Sequence, residues 1–122
     1  MLKFKFLLWM MPKLLQRAIN TKPTCARYVA GKALEFQIQT LDKIECHFRI
    51  QDGTVKSFAG LTKTPKFTLT FRTADKGFKI LSAKDSKEAF LAALHDEDLV
   101  ISGDFVEVLW FQGFTDYLQP GK

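Results

Sequence analysis

Apolar residues fall on every second position through two stretches of the chain. Leu34, Phe36 and Ile38 alternate with Glu35, Gln37 and Gln39; Ile44, Cys46, Phe48 and Ile50 alternate with Glu45, His47 and Arg49. Successive side chains of a strand point to opposite faces, so each run predicts a strand with one buried face. Asp52-Gly53 is a hairpin signal leading into a third strand, Thr54 to Phe58. A loop through Gly60 and Pro65 reaches "KFTLTFR", where Phe67, Leu69 and Phe71 share a face. Together these runs predict a mostly antiparallel sheet, apolar on one side and polar on the other.

From Thr73 the period changes. Thr73 can cap a helix from Ala74 towards Leu81, and Asp85 with Glu88 three residues later makes a capping-box-like start for "SKEAFLAALH". Leu99 to Ile101 read as a short fifth strand. Asp104 then caps a last helix, its carboxylate accepting backbone N–H bonds at the positive helix end. Earlier, a break around Pro23 and a short helix ending near Gly31 precede the strands. The fold class expected is α+β in two layers: five strands, helices over one face, and an N-terminal helical leader.

The last helix is unusually greasy. At about 100° per residue, its apolar arc runs from Leu109 at about 40° to Phe111 at about 240°, interrupted only by Glu107. An ordinary surface helix needs a stripe a little over 100° wide. Either another helix covers the remainder, or the helix lines a cavity for something oily.

Composition sharpens this. The 122 residues fit one domain, 47% hydrophobic and 25% charged, with 12 Phe against two Tyr and two Trp. Phe carries no polar handle, so the bias suits a thick apolar interior or an apolar ligand. Charge is uneven along the chain. Residues 1–34 hold seven of the 18 bases and none of the 13 acids, so the remaining 11 bases against 13 acids carry −2. A basic leader on a slightly acidic body argues against nucleic acid as a partner.

That leader, residues 1–30, opens "MLKFKFLLWMMPKLLQRAIN". Its apolar run is too short to span a bilayer, and it lacks an A-x-A-like cleavage site and the serines of a transit peptide. Two readings stand. In one it is an interfacial segment, with Phe4, Phe6, Leu7, Leu8 and Trp9 entering the headgroup boundary and Lys3 and Lys5 meeting anionic lipid, at about 1 kcal/mol per basic residue. In the other it packs onto the domain, residues 31–118, that precedes a tail at 119–122.

No catalytic or cofactor motif is visible: no G-x-S-x-G, H-E-x-x-H, P-loop, G-x-G-x-x-G or C-x-x-C. Ser102 and Asp104 read as turn and cap, and Asp96, Glu97 and Asp98 as a solvated loop. His47 and His95 have no metal-ligand spacing, and Cys25 and Cys46 are too few for a disulfide framework. No catalytic residue, metal or cofactor is expected, and two free thiols suit a reducing, cytoplasmic compartment.

Three phrases in order, "FRIQDGTVKSF", "PKFTLTFRTADKGFKIL" and "LVISGDFVEVLWF", resemble the sterol carrier protein 2 (SCP2) domain family over about residues 31–118. Within it, "GKALEFQIQTLDKIECHFRIQDGTV" is most similar to bacterial accessory factors of ubiquinone biosynthesis. The resemblance implies a tunnel between sheet and helices for an isoprenoid, quinone precursor, sterol-like molecule or fatty acyl chain. Its expected walls are Phe48, Ile50, Phe67, Leu69 and Phe71 from the sheet, with Phe90, Leu94, Phe105, Leu109, Trp110 and Phe114 from helices. The implied function is non-catalytic carriage of an apolar lipid, peripheral on the inner face of a membrane. The alternative is a docking module of a lipid-modifying or ubiquinone-synthesis complex, its tunnel filled by its own Phe side chains.

Overall fold

The computed structural model describes residues 2–118; the expected tail at 119–122 lies outside the described residues. Five strands, β1 (Ala33–Thr40), β2 (Glu45–Gln51), β3 (Thr54–Ala59), β4 (Phe67–Phe71) and β5 (Leu99–Gly103), form one sheet in the order β3-β2-β1-β4-β5. Five helices accompany it: α1 (Leu2–Thr21), α2 (Pro23–Val29), α3 (Ala74–Leu81), α4 (Ser86–His95) and α5 (Phe105–Thr115), followed by a 3-10 turn, Asp116–Leu118. The class is α+β.

Alternation did place the faces. Phe36, Ile38, Phe48, Ile50, Phe67, Leu69 and Phe71 are all buried on the helix side. Three pairings are antiparallel, but β1 and β4 run parallel, with Gln37 opposite Thr68. The chain reaches β4 by crossing the outer face of the sheet. There Thr62 N donates to Gln37 Oε1 at 3.0 Å, and Thr62 Oγ1 to Glu35 Oε1 at 3.1 Å. Gln37 is buried as a result and donates to Thr68 Oγ1 at 2.9 Å, so its amide is satisfied within the sheet.

Caps stand where the side chains allow. Thr73 accepts from Lys76 N, Asp85 from Glu88 N, and Asp104 Oδ1 from Val106 N and Glu107 N. Asp52 and Gly53 both take positive φ, 54° and 72°, as a two-residue I′ hairpin turn requires. Gly103 is irreplaceable for a second reason: a Cβ there would meet Lys66 O at 2.5 Å and Phe67 Cα at 2.8 Å, both backbone. Ser102, expected in a turn, is still paired within β5, opposite Thr68.

The leader is not an appendage. Phe4, Leu8, Met11, Pro12, Leu15 and Ala18 form a buried stripe along α1. Phe4 meets Phe71 edge-on at 5.8 Å and lies so close to Gly77 of α3 that any Cβ there would strike its ring. Pro12 sits inside the helix without an N–H to give, and the helix runs on through it because its buried face is held by the core.

Candidate functional site

The expected tunnel would lie between the sheet and α5. One stripe of α5, Val108, Phe111 and Phe114, is buried there. Phe36 stands at the centre, stacked on Phe48 and Phe67 with centroids 5.2 and 4.9 Å away, and Phe111 lies 4.6 Å from it. Phe111 is also 5.9 Å from Phe67. The four rings fill the volume assigned to a guest.

The apolar surplus of α5 divides in two. Trp110 is covered by α2: it stacks on Tyr28 at 5.6 Å and 11°, and its Nε1 donates to Tyr28 O at 3.3 Å. Tyr28 Oη in turn donates to Trp110 O at 2.6 Å, and Lys32 Nζ pairs with Glu107 Oε1 at 2.6 Å while lying over the Trp110 ring. These contacts latch α5 to α2. Burial, with the nearby Tyr117 and Asp116, pushes the Tyr28 phenol up from 10.0 to about 12. The other side is bare: Phe105, Val106 and Leu109 are 48, 72 and 53% exposed.

The expected wall residues therefore separate. Phe48, Ile50, Phe67, Leu69, Phe71, Phe90 and Phe114 are buried in one core, with Leu94 and Trp110 half-buried against it. Phe105 and Leu109 correct the expectation: they occupy the solvent side of α5, so neither bounds an interior space in this conformation. The leader residues separate too. Phe4 and Leu8 point into the core and Leu7 packs partly against it, whereas Lys3, Lys5, Phe6 and Trp9 face out.

Between α1 and β3 two adjoining hollows of about 690 and 440 Å³ share Ser57 and Phe58 in their linings. Pro12, Lys13 and Gln16 line one, and Lys5, Leu8 and Trp9 the other. Sequence reasoning passed over this groove. Its signal was size: Ser57 and Ala59, opposite Phe48 and Cys46, are small and exposed where strand neighbours are large.

Burial pushes the Cys46 thiol up to about 12 and raises that of Cys25 as well, which keeps both protonated at neutral pH. Glu35 is held below the ordinary carboxylate range, first by its bond from Arg49 and then by Thr62. Among the described residues, no group of three or more His, Cys, Asp or Glu is placed to hold a metal, and no helix is long and apolar enough to cross a membrane.

No family model matches the chain, and no curated protein matches its sequence. Solved structures do match its shape. A protein described as "UbiJ-SCP2 Ubiquinone synthesis protein" superposes with a TM-score of 0.75 at 15% identity, over 95% of this chain and 99% of that one. Sterol carrier protein 2 from Yarrowia lipolytica, in its apo form, gives 0.53 at 14% identity over 92% and 91% of the two chains. An inverting sec-alkylsulfatase, Pisa1 from Pseudomonas sp., gives 0.60 at 16% identity, with 72% of this chain matching 14% of the larger enzyme. At such identities the likeness concerns architecture: this chain has an SCP2-like α+β fold, similar to that of a ubiquinone-synthesis protein along nearly its whole length.

Proposed function

We propose that this chain is a non-catalytic lipid-handling domain, which takes an apolar molecule (an isoprenoid, a quinone precursor, a sterol-like molecule or a fatty acyl chain) between its sheet and α5. One observation carries the reading. The wall is built from phenyl and aliphatic groups that need no hydrogen bond, and the helix closing it is apolar inside and out. A hydrocarbon chain sliding between Phe111 and the Phe36–Phe67 stack would replace ring contacts with alkyl contacts of similar kind, breaking no polar pair at that point. Its binding would come from area, at about 25 cal/mol per Å² of apolar surface removed from water. The likeness to a ubiquinone-synthesis protein makes a quinone precursor the first ligand to try. The loading step is displacement of α5, resisted by the Tyr28–Trp110 bonds and the Lys32–Glu107 pair.

The exposed side of α1 supports work at an anionic bilayer. Leu2, Phe6 and Trp9 project at helical spacing, the latter two 61 and 56% exposed, beside Lys3, Lys5 and Lys13. This surface is available without undocking the helix.

The filled interior favours a second reading, in which the domain has no cargo and serves as a docking part of an enzyme complex. The two differ in a direct measurement. The purified chain is extracted with organic solvent for mass spectrometry, then titrated with a fluorescent acyl probe beside Phe111→Ala. Co-extracted isoprenoid, or probe binding that tightens in the variant, supports carriage. A clean extract with no uptake by either folded protein supports docking alone.

A further inference from the structure

The free edge of β3 has half of its backbone groups directed away from its partner. Gly60 N donates to Glu45 O at 3.1 Å, which makes Cys46 and Ala59 a non-hydrogen-bonded pair. The register then turns the N–H and C=O of Val55, Ser57 and Ala59 outward. Gln16 of α1 satisfies the first of them: its Oε1 accepts from Val55 N at 2.9 Å and its Nε2 donates to Gly53 O at 3.0 Å. That side-chain amide imitates a neighbouring strand for one position and goes no further. Among the described residues nothing bonds the outward groups of Ser57 or Ala59.

Those groups open onto the groove between α1 and β3. Trp9, Pro12 and Leu8 form its opposite wall, and Ser57 and Ala59 are too small to fill it. Its rim is charged in one sense. Lys5, Lys13, Arg17, Lys43 and Lys56 line the two hollows against a single acid, Glu45, and none of the five bases pairs with a carboxylate among the described residues. A hydrocarbon chain could fill the volume, but it offers nothing to unpaired amides and carbonyls. A second copy of this chain would set five bases against five.

We infer that β3 and α1 together receive an extended, acidic segment of a partner protein, which adds a sixth strand beyond β3 with its carboxylates among the lysines and its alternate apolar side chains on the α1 side, against Trp9 and Pro12. Exposed strand edges commonly take peptides in this way, with affinity from the main chain and specificity from alternate side chains. Gln16 marks where the added strand must stop. The inference does not rest on carriage beneath α5, since the groove and the α5 interface share no residue; it does compete with the bilayer for Lys5, Trp9 and Lys13, and the vesicle arm of the test separates the two.

The test uses the full chain and labelled, end-capped peptides of about six to eight residues, the length of a short strand. They alternate Glu or Asp with Val, Ile or Tyr, in both registers, and binding is followed by fluorescence anisotropy and amide exchange. Binding should weaken with salt, slow exchange at Ser57 and Ala59, and fall about tenfold or more in Lys13→Glu/Lys56→Glu. Ser57→Pro, a change an edge strand tolerates where the N–H points outward, removes that donor and should reduce binding similarly. N-methylation of the peptide's own inward amides should abolish it with the protein untouched. The inference is overturned if no peptide in the panel binds, or if N-methylated peptides bind equally. It is also overturned if phosphatidylserine vesicles protect Ser57 and Ala59 while peptides do not, or if sedimentation shows a dimer closed through this edge.

Discussion

The middle of the sheet and its β3 end make opposite use of space. Under α5, over β2, β1 and β4, Phe36, Phe48, Phe67 and Phe111 leave ring next to ring. Under α1, at the β3 end, Ser57 and Ala59 leave a groove with polar backbone at its floor. The hydrophobic pattern along the chain suggests the reverse, since the greasiest helix closes the fuller region. Apolar content measures how much surface avoids water; it does not say whether a side chain of the protein or another molecule covers it. Volume is decided by which residues face one another across elements.

Substitutions should separate the two regions by magnitude. Phe36→Ala removes the ring that three others touch and should cost about 3–5 kcal/mol in denaturant unfolding; a loss below 1 kcal/mol would show that this region is loosely filled. Gly77→Val forces Phe4 from its seat on α3 and should cost about 1–3 kcal/mol, with α1 amides exchanging faster than those of β1. Equal rates would mean that α1 is held by something other than Phe4.

The latch of α5 should respond to pH. The Tyr28 phenol is raised in the folded state, so the folded chain holds that proton more tightly than the unfolded one. Its contribution is complete below about pH 10 and is lost as pH rises towards 12. Wild type should therefore lose more stability than Tyr28→Phe across that window, and parallel curves would remove the phenol from the account. The smallest effects belong to open surface. Ala59→Val, at the groove, and Leu109→Ser, on the bare side of α5, should each change stability by less than about 0.5 kcal/mol. A large loss from Leu109→Ser would put that residue inside after all.

Faces, turns and caps were legible because they are local. Phe67, Leu69 and Phe71 announce one face by alternation, Asp52-Gly53 a turn by its left-handed backbone, and Asp104 a helix start by a carboxylate within reach of two amides. The parallel β1–β4 pairing was not legible, because period gives the face of a strand and not its neighbour. The cover that α2 lays over Trp110 depends on Tyr28, 82 positions away, and no spacing rule links them. Leu109 reads as a wall residue because an arc of seven apolar residues does not reveal which part meets the sheet. The groove went unread for a related reason: two small residues in a strand look like nothing until a helix fails to fill the space above them.

The parallel pairing also predicts an order of assembly. β1, β2 and β3 join through two short hairpins, whereas β4 must cross the finished ladder before it meets β1. Phe71 and Gly77, the seat of Phe4, are not in place until then. Until then Phe4 has no seat, so a chaperone or a bilayer that holds the start of α1 is expected to compete with its docking.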